Sequence, residues 1–318
     1  MLSTGVDTVR ISRLIVAACA AALAVPACAP ADPRTTDELI AEARRLDVDG
    51  QHDEAVELFR AALDRVPESY DGHYGLARAL DLTGKYEEAR RHFARAIELA
   101  PEPEKDQPLR MMAIAWVFAR DADRAASYFR QVFDRRIAAG AFAGASDVAN
   151  EIGRVDLELG RLDAAETWYR TGYDTAARQA DRPAWQVDLA ELRWAHAQAR
   201  IAARRGQAEA ARRHTAAVRG LLDKGTNSDQ EIHYPYLAGY VDLHLGDPAS
   251  ARSHLERADQ EDPFILLLLA QASERLGNDS AAREYYRRVL ASSSHGLPAA
   301  LARPVAIERL KEAPASGG

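Results

Sequence analysis

Two short amphipathic stripes separated by one glycine leave residues 70–103, YDGHYGLARALDLTGKYEEARRHFARAIELAPEP, few ways to fold. Leu76, Ala77, Leu80 and Leu82 fall at helical spacing, and Gly84 follows where a left-handed residue stops a helix. Tyr86, Ala89, Phe93, Ala96 and Ile97 give a second stripe, closed by Pro101. The alanines let the two helices approach closely as a tight hairpin. One such hairpin cannot bury both of its stripes, so it needs neighbours of the same kind.

The chain supplies them. Gly50, Ala55, Phe59, Ala62 and Pro67 repeat the frame 34 residues upstream. Downstream copies are Arg120 with Ala125 and Phe129, Gly160 with Ala165 and Tyr169, and Gly206 with Ala211. Gly246 with Ala251, Ala258 and Pro263, then Gly277 with Ala282 and Tyr286, complete the series. The turn-to-turn steps are 34, 36, 40, 46, 40 and 31 residues, so the middle units must carry longer helices or connections. No copy has Trp at its fourth position, where His73 stands in the best repeat, and Thr215 replaces one aromatic. The period and the A-x3-F…P pattern resemble the tetratricopeptide repeat. The resemblance implies an all-α, right-handed α-solenoid of about seven hairpins over residues 36–294. Residues 295–312 are expected to form an amphipathic capping helix with Pro304 at or near its start, and 313–318 a disordered tail.

Composition agrees. With 47% apolar and 28% charged residues and no β-hairpin pattern, 318 residues suffice for a helical solenoid. A net charge of −7 excludes a globally basic nucleic-acid binder.

The N-terminus reads as an export signal, residues 1–27: Arg10 and Arg13 precede an apolar run from Leu14 to Ala27 that is short for a membrane span. Its end, Leu23-Ala24-Val25-Pro26-Ala27-Cys28, resembles a bacterial lipobox, with Pro26 an uncommon choice. Cys28 is then the lipid-attachment residue and residues 28–35 a tether. Ala29 after the cysteine resembles lipoproteins sorted to the outer membrane, facing the periplasm; a secreted or cell-surface form is the alternative. Both cysteines of the chain, Cys19 and Cys28, fall in or beside the signal, so stability must come from packing rather than disulfides.

In tetratricopeptide proteins the first helix of each hairpin lines a concave groove, and the resemblance places its fifth and ninth positions on that wall. The ninth positions here are Arg44, Arg78, Ile114, Arg154, Arg200, Tyr240 and Gln271. The fifth are Ile40, Tyr74, Arg110, Asn150, His196, Tyr236 and Leu267. A ladder of guanidinium groups with Tyr, Asn and His suits carboxylates and peptide carbonyls. The expected binding residues are therefore Arg44, Tyr74, Arg78, Arg110, Asn150, Arg154, His196, Arg200, Tyr236 and Tyr240. The competing expectation is that Arg44 pairs with Asp47, and Arg78 with Asp81, as solvated i,i+3 pairs. The run Phe264–Ala270, FILLLLA, is apolar all round and reads as a buried helix.

Nothing in the sequence spells out catalysis. No His pair has metal-ligand spacing, and no phosphate loop or nucleophile elbow occurs, so no cofactor, metal or catalytic residue is expected. The expected function is a non-enzymatic scaffold at the cell envelope. Its partner is a protein or extended peptide, with acidic groups or a terminal carboxylate, and not nucleic acid. An accessory subunit binding glycan or lipid near the membrane is the alternative, and an unrecognised enzyme the third and least favoured reading.

Overall fold

The computed structural model describes residues 32–312 together with Met1. The export signal after Met1, Cys28 with the first half of the tether, and residues 313–318 lie outside the described residues. Contacts divide the chain into two units, Met1–Arg34 and Thr35–Gly318. In the described part of the first, Arg34 pairs with Asp32.

The second unit holds fifteen α-helices among the described residues, and no strand. Fourteen form seven hairpins: α1 (Thr36–Val48) with α2 (His52–Arg65), α3 (Tyr70–Leu82) with α4 (Tyr86–Leu99), and α5 (Asp106–Phe118) with α6 (Ala122–Ala138). Then come α7 (Phe142–Glu158) with α8 (Leu162–Ala177), α9 (Ala184–Arg204) with α10 (Ala208–Leu222), α11 (Tyr234–His244) with α12 (Pro248–Leu255), and α13 (Pro263–Arg275) with α14 (Asp279–Ala291). Each hairpin packs on the next, as an α-solenoid requires. The uneven repeat length has its cause in α7, of 17 residues, and α9, of 21.

The turns follow from local chemistry. Gly50, Gly84, Gly160, Gly206, Gly246 and Gly277 all have positive φ, and at the third turn Arg120 takes the same left-handed conformation with φ 59°. Aromatics of the second helices, Phe59, Phe93, Phe129, Tyr169 and Tyr286, are buried. Gly75 on α3 lies directly against Phe59, where a Cβ would come within 2.3 Å of the ring. No helix among the described residues is long and apolar enough to cross a membrane.

The final helix, α15 (Leu297–Glu312), departs from the expectation of an amphipathic cap. Residues 299–303 are buried one after another, so every side of this stretch is covered, whereas Glu308, Arg309, Lys311 and Glu312 are exposed. The reason is position: α15 packs on α13 and α14, as a cap would, and also on α5 and α7. It therefore lies against the first helices of the third, fourth and seventh hairpins, and its C-terminal half borders a cavity of about 670 Å³. Pro304 lies inside the helix rather than at its start, and Pro298 occupies the first turn, where a missing N–H leaves no intrahelical bond unmade. Phe264–Ala270 is buried throughout, forming a common core with α5 and α15.

Candidate binding pocket on the inner wall

A four-residue period builds the site. On α7 it aligns Asp147, Glu151 or Asn150, Arg154 and Glu158; on α9 it aligns Leu192, His196, Arg200 and Arg204; on α11, Tyr236, Tyr240 and His244. The near ends of these faces, with Arg110 from α5 and Tyr169 from α8, line a cavity of about 540 Å³, while Glu158, Arg204 and His244 line a neighbouring one. Gly296, Leu297 and Pro298, at the start of α15, close one side. The cavity is thus an open depression in which the start of α15 forms part of the wall.

Charge inside it is sorted. Arg110 Nε donates to both oxygens of Glu151 at 3.0 and 2.9 Å, and Arg193 Nη1 donates to Asp147 Oδ1 at 2.7 Å. Those two cations are neutralised within the wall. Behind them Glu158, with 8% of its side chain exposed, sits 3.3 Å from Arg204 Nη1 and 3.9 Å from Arg200 Nη1. Arg200 Nη2 donates to Tyr169 Oη at 2.8 Å, and Tyr240 Oη donates to Glu158 Oε2 at 3.2 Å. Burial pushes the Glu158 carboxyl up, against the pull of Arg200, Arg204 and Arg154 and the Tyr240 hydroxyl. Arg154 makes no ion pair among the described residues; its guanidinium lies 5.1 Å from the Phe264 ring centre, and its Nε is buried without a hydrogen-bond partner. The result is an excess of arginine over carboxylate at one wall, in a lining that joins Tyr169, Leu192, Tyr236 and Leu297 to the polar Asn150, His196, Gln230 and His233. His196 stacks on Tyr236 with ring centres 5.7 Å apart. Burial, reinforced by Arg200, His233 and Arg154, pushes its imidazole well below the usual range, so it is a neutral ring at physiological pH.

Of the ten residues expected on the wall, Arg110, Asn150, Arg154, His196, Arg200 and Tyr236 line this pocket together. Tyr240 is fully buried behind it, bonded to Glu158. Arg44, Tyr74 and Arg78 belong to the first two hairpins and do not line it. Arg44 pairs with Asp71, Arg78 lies 3.5 Å from Asp47, and Tyr74 Oη accepts from Gln107 Nε2 at 3.0 Å while stacking on Tyr70. The expected Arg44–Asp47 and Arg78–Asp81 pairs are corrected by these contacts. Neighbouring first helices run side by side, so a carboxylate on an adjacent hairpin, the next one for Arg44 and the preceding one for Arg78, is a better-placed partner than one on the same helix. Asp81 is instead bonded to His295.

Sequence reasoning missed Glu158 and Arg204, although each stands four residues beyond an expected residue, Arg154 and Arg200. It also missed Tyr169, read as a core aromatic, and the start of α15. Among the described residues no group of three His, Cys, Asp or Glu is placed to hold a metal ion.

Residues 49–106 and 236–296 each match a tetratricopeptide-repeat family model. The chain carries tetratricopeptide repeats. Solved structures of the same architecture include a tetratricopeptide repeat protein from Parabacteroides merdae, with TM-score 0.51, 13% identity, and 87% of this chain and 97% of that one covered. The apo form of RapI gives 0.55 at 12% identity, covering 87% and 99%. A Rap protein complexed with competence and sporulation factor gives 0.51 at 12% identity, covering 87% and 76%. At these identities the likeness concerns the fold. No curated protein matches the sequence. The repeats make the chain a protein-interaction scaffold in its general class.

Proposed function

We propose that this scaffold acts without catalysis at the bacterial cell envelope, and that its inner pocket holds an acidic segment of a protein or peptide partner. The observation that carries the reading is the unpaired Arg154 beside the buried Arg200, in a pocket walled by tyrosine and leucine. A carboxylate there gains charge-assisted bonds, and apolar neighbours gain burial. Asn150, half-buried on the same wall, is suited to pair with a backbone amide in both directions. A Rap protein of the same architecture has been crystallised complexed with competence and sporulation factor, which is consistent with a solenoid of this kind receiving a partner. The envelope location rests on the apolar run ending at Cys28, which supports lipid attachment and, with Ala29, the outer membrane.

The test is affinity purification of the full chain from envelope extracts, run beside Arg154→Glu and Asn150→Ala, with identification by mass spectrometry. Arg200 is left intact, because a carboxylate at that buried position would face Glu158 and unfold the site. A partner lost from both variants, and bound through an acidic segment, supports the reading. Recovery of the same partners by both variants overturns it. For the location, metabolic labelling with a fatty-acid analogue should mark the wild-type chain and leave Cys28→Ser unlabelled; an unlabelled wild type defeats the lipid anchor.

A further inference from the structure

We infer that residues 292–312 form a detachable strap: α15 is an internal ligand of the solenoid's inner wall, and its release exposes the faces of α5, α7 and α13 that it covers. The inference goes beyond the pocket reading and stands whatever that pocket binds.

The seat of α15 shows why. A cap need only cover the last hairpin, yet this helix reaches residues more than 200 positions upstream. His295 Nε2 and Asp81 Oδ2 are 2.9 Å apart, with both side chains 0% exposed. Arg303 donates to the carbonyl oxygens of Leu290 at 2.8 Å, Ser292 at 3.1 Å and Leu82 at 2.7 Å. The strap thereby ties the second hairpin to the seventh and holds the superhelical turn closed.

That seat is polar and incompletely satisfied. Asp81 Oδ1, Tyr86 Oη, His295 Nδ1 and Arg303 Nε are all buried there without a hydrogen-bond partner. Each regains water when the strap leaves, which weakens the docked state relative to an apolar seat of the same shape. The helix itself is poorly built for permanence. Pro304 deprives the Ala300 carbonyl of its donor, and the buried face is largely alanine, at 299, 300, 302 and 306, which removes little apolar area per residue. Upstream, residues 292–296 are non-helical and only partly covered, a natural hinge. By contrast α13, which packs against α15, is leucine-rich and buried on every side.

Hydrogen–deuterium exchange of the full chain, read by mass spectrometry, tests this. In the unaltered protein the amides of α15 should exchange roughly tenfold or more faster than those of α13, because local release needs no global unfolding. His295→Ala should widen that gap while α13 keeps its rate. Asp81→Leu with His295→Leu, which removes the pair and its orphaned atoms, should narrow it. Equal protection of α15 and α13, acceleration of both helices together in His295→Ala, or an unchanged gap in the double variant would each overturn the strap.

Discussion

Arg120 shows how much of this molecule is decided one position at a time. Six of the seven intra-hairpin turns use glycine at positive φ, and the third uses arginine at φ 59°. A side chain in that conformation costs about 1 kcal/mol relative to glycine. The Arg120 side chain is exposed, so Arg120→Gly should stabilise the protein by about 1 kcal/mol in urea titrations. The reverse holds at Gly75, where α3 touches the Phe59 ring. Gly75→Ala should lower stability by about 1–3 kcal/mol despite alanine's better helix propensity, since Phe59 has no space into which to move. A third position gives a pH signature. Burial, with Arg204 and Arg275 adding, pushes the His244 imidazole down to about 3. The unfolded chain then takes up this proton near pH 6.5 while the folded one does not, so the stability contribution of His244 is lost as pH falls below that value. His244→Gln should accordingly gain on the wild type by about 1–2 kcal/mol between pH 7 and pH 5, read as the difference between paired thermal melts. A constant difference across that range would show that His244 takes up its proton in the fold at the same pH as in the unfolded chain.

The helices were the most legible part of the sequence, because each stripe and each stop is local. Gly84 and its equivalents end helices for reasons contained in a few residues, and the A-x3-aromatic pair marks the face that packs. Asp262 illustrates the same legibility at a helix start. Its carboxylate accepts from the Phe264 and Ile265 amides at 2.7 and 3.3 Å, capping α13. Asp262→Ala should cost about 1 kcal/mol, seen as a lower urea midpoint with unchanged slope. The arginine wall was legible for a similar reason: Arg154 and Arg200 hold equivalent places in two hairpins, so one frame finds both. What the sequence concealed is set by distant partners. Whether an arginine on that wall is free depends on carboxylates dozens of residues away, as with Arg110 and Glu151, or Arg193 and Asp147. The burial of α15 was illegible for the same cause. Its residues 299–303 look like a helix with no preferred face, and only the closing of the superhelix supplies neighbours for all sides.

That closing changes how the chain should unfold. In an open solenoid each hairpin touches only its neighbours, and stability is shared along a line. Here the core reached by α15 joins α3–α7 to α11–α14, so hairpins distant in sequence share one packed centre. The N-terminal end has a separate core, in which Leu39, Ile40 and Phe59 of the first hairpin pack with Leu76 and Leu80 of α3. A probe that sees one region and not the other follows from the sequence. The four tryptophans, Trp116, Trp168, Trp185 and Trp194, lie on α5, α8 and α9, whereas far-ultraviolet circular dichroism counts every helix. Leu39 is fully buried, and Leu39→Ala should remove about 2–5 kcal/mol from the first core. Circular dichroism should then lose amplitude at a lower urea concentration than fluorescence, whose midpoint stays at the wild-type value. Leu268→Ala, within the large core, should instead move both midpoints down together. If Leu39→Ala shifts fluorescence and circular dichroism equally, the first hairpin is not an independent end. The whole chain then unfolds as one cooperative body, and the closure made by α15 must extend to its first helix.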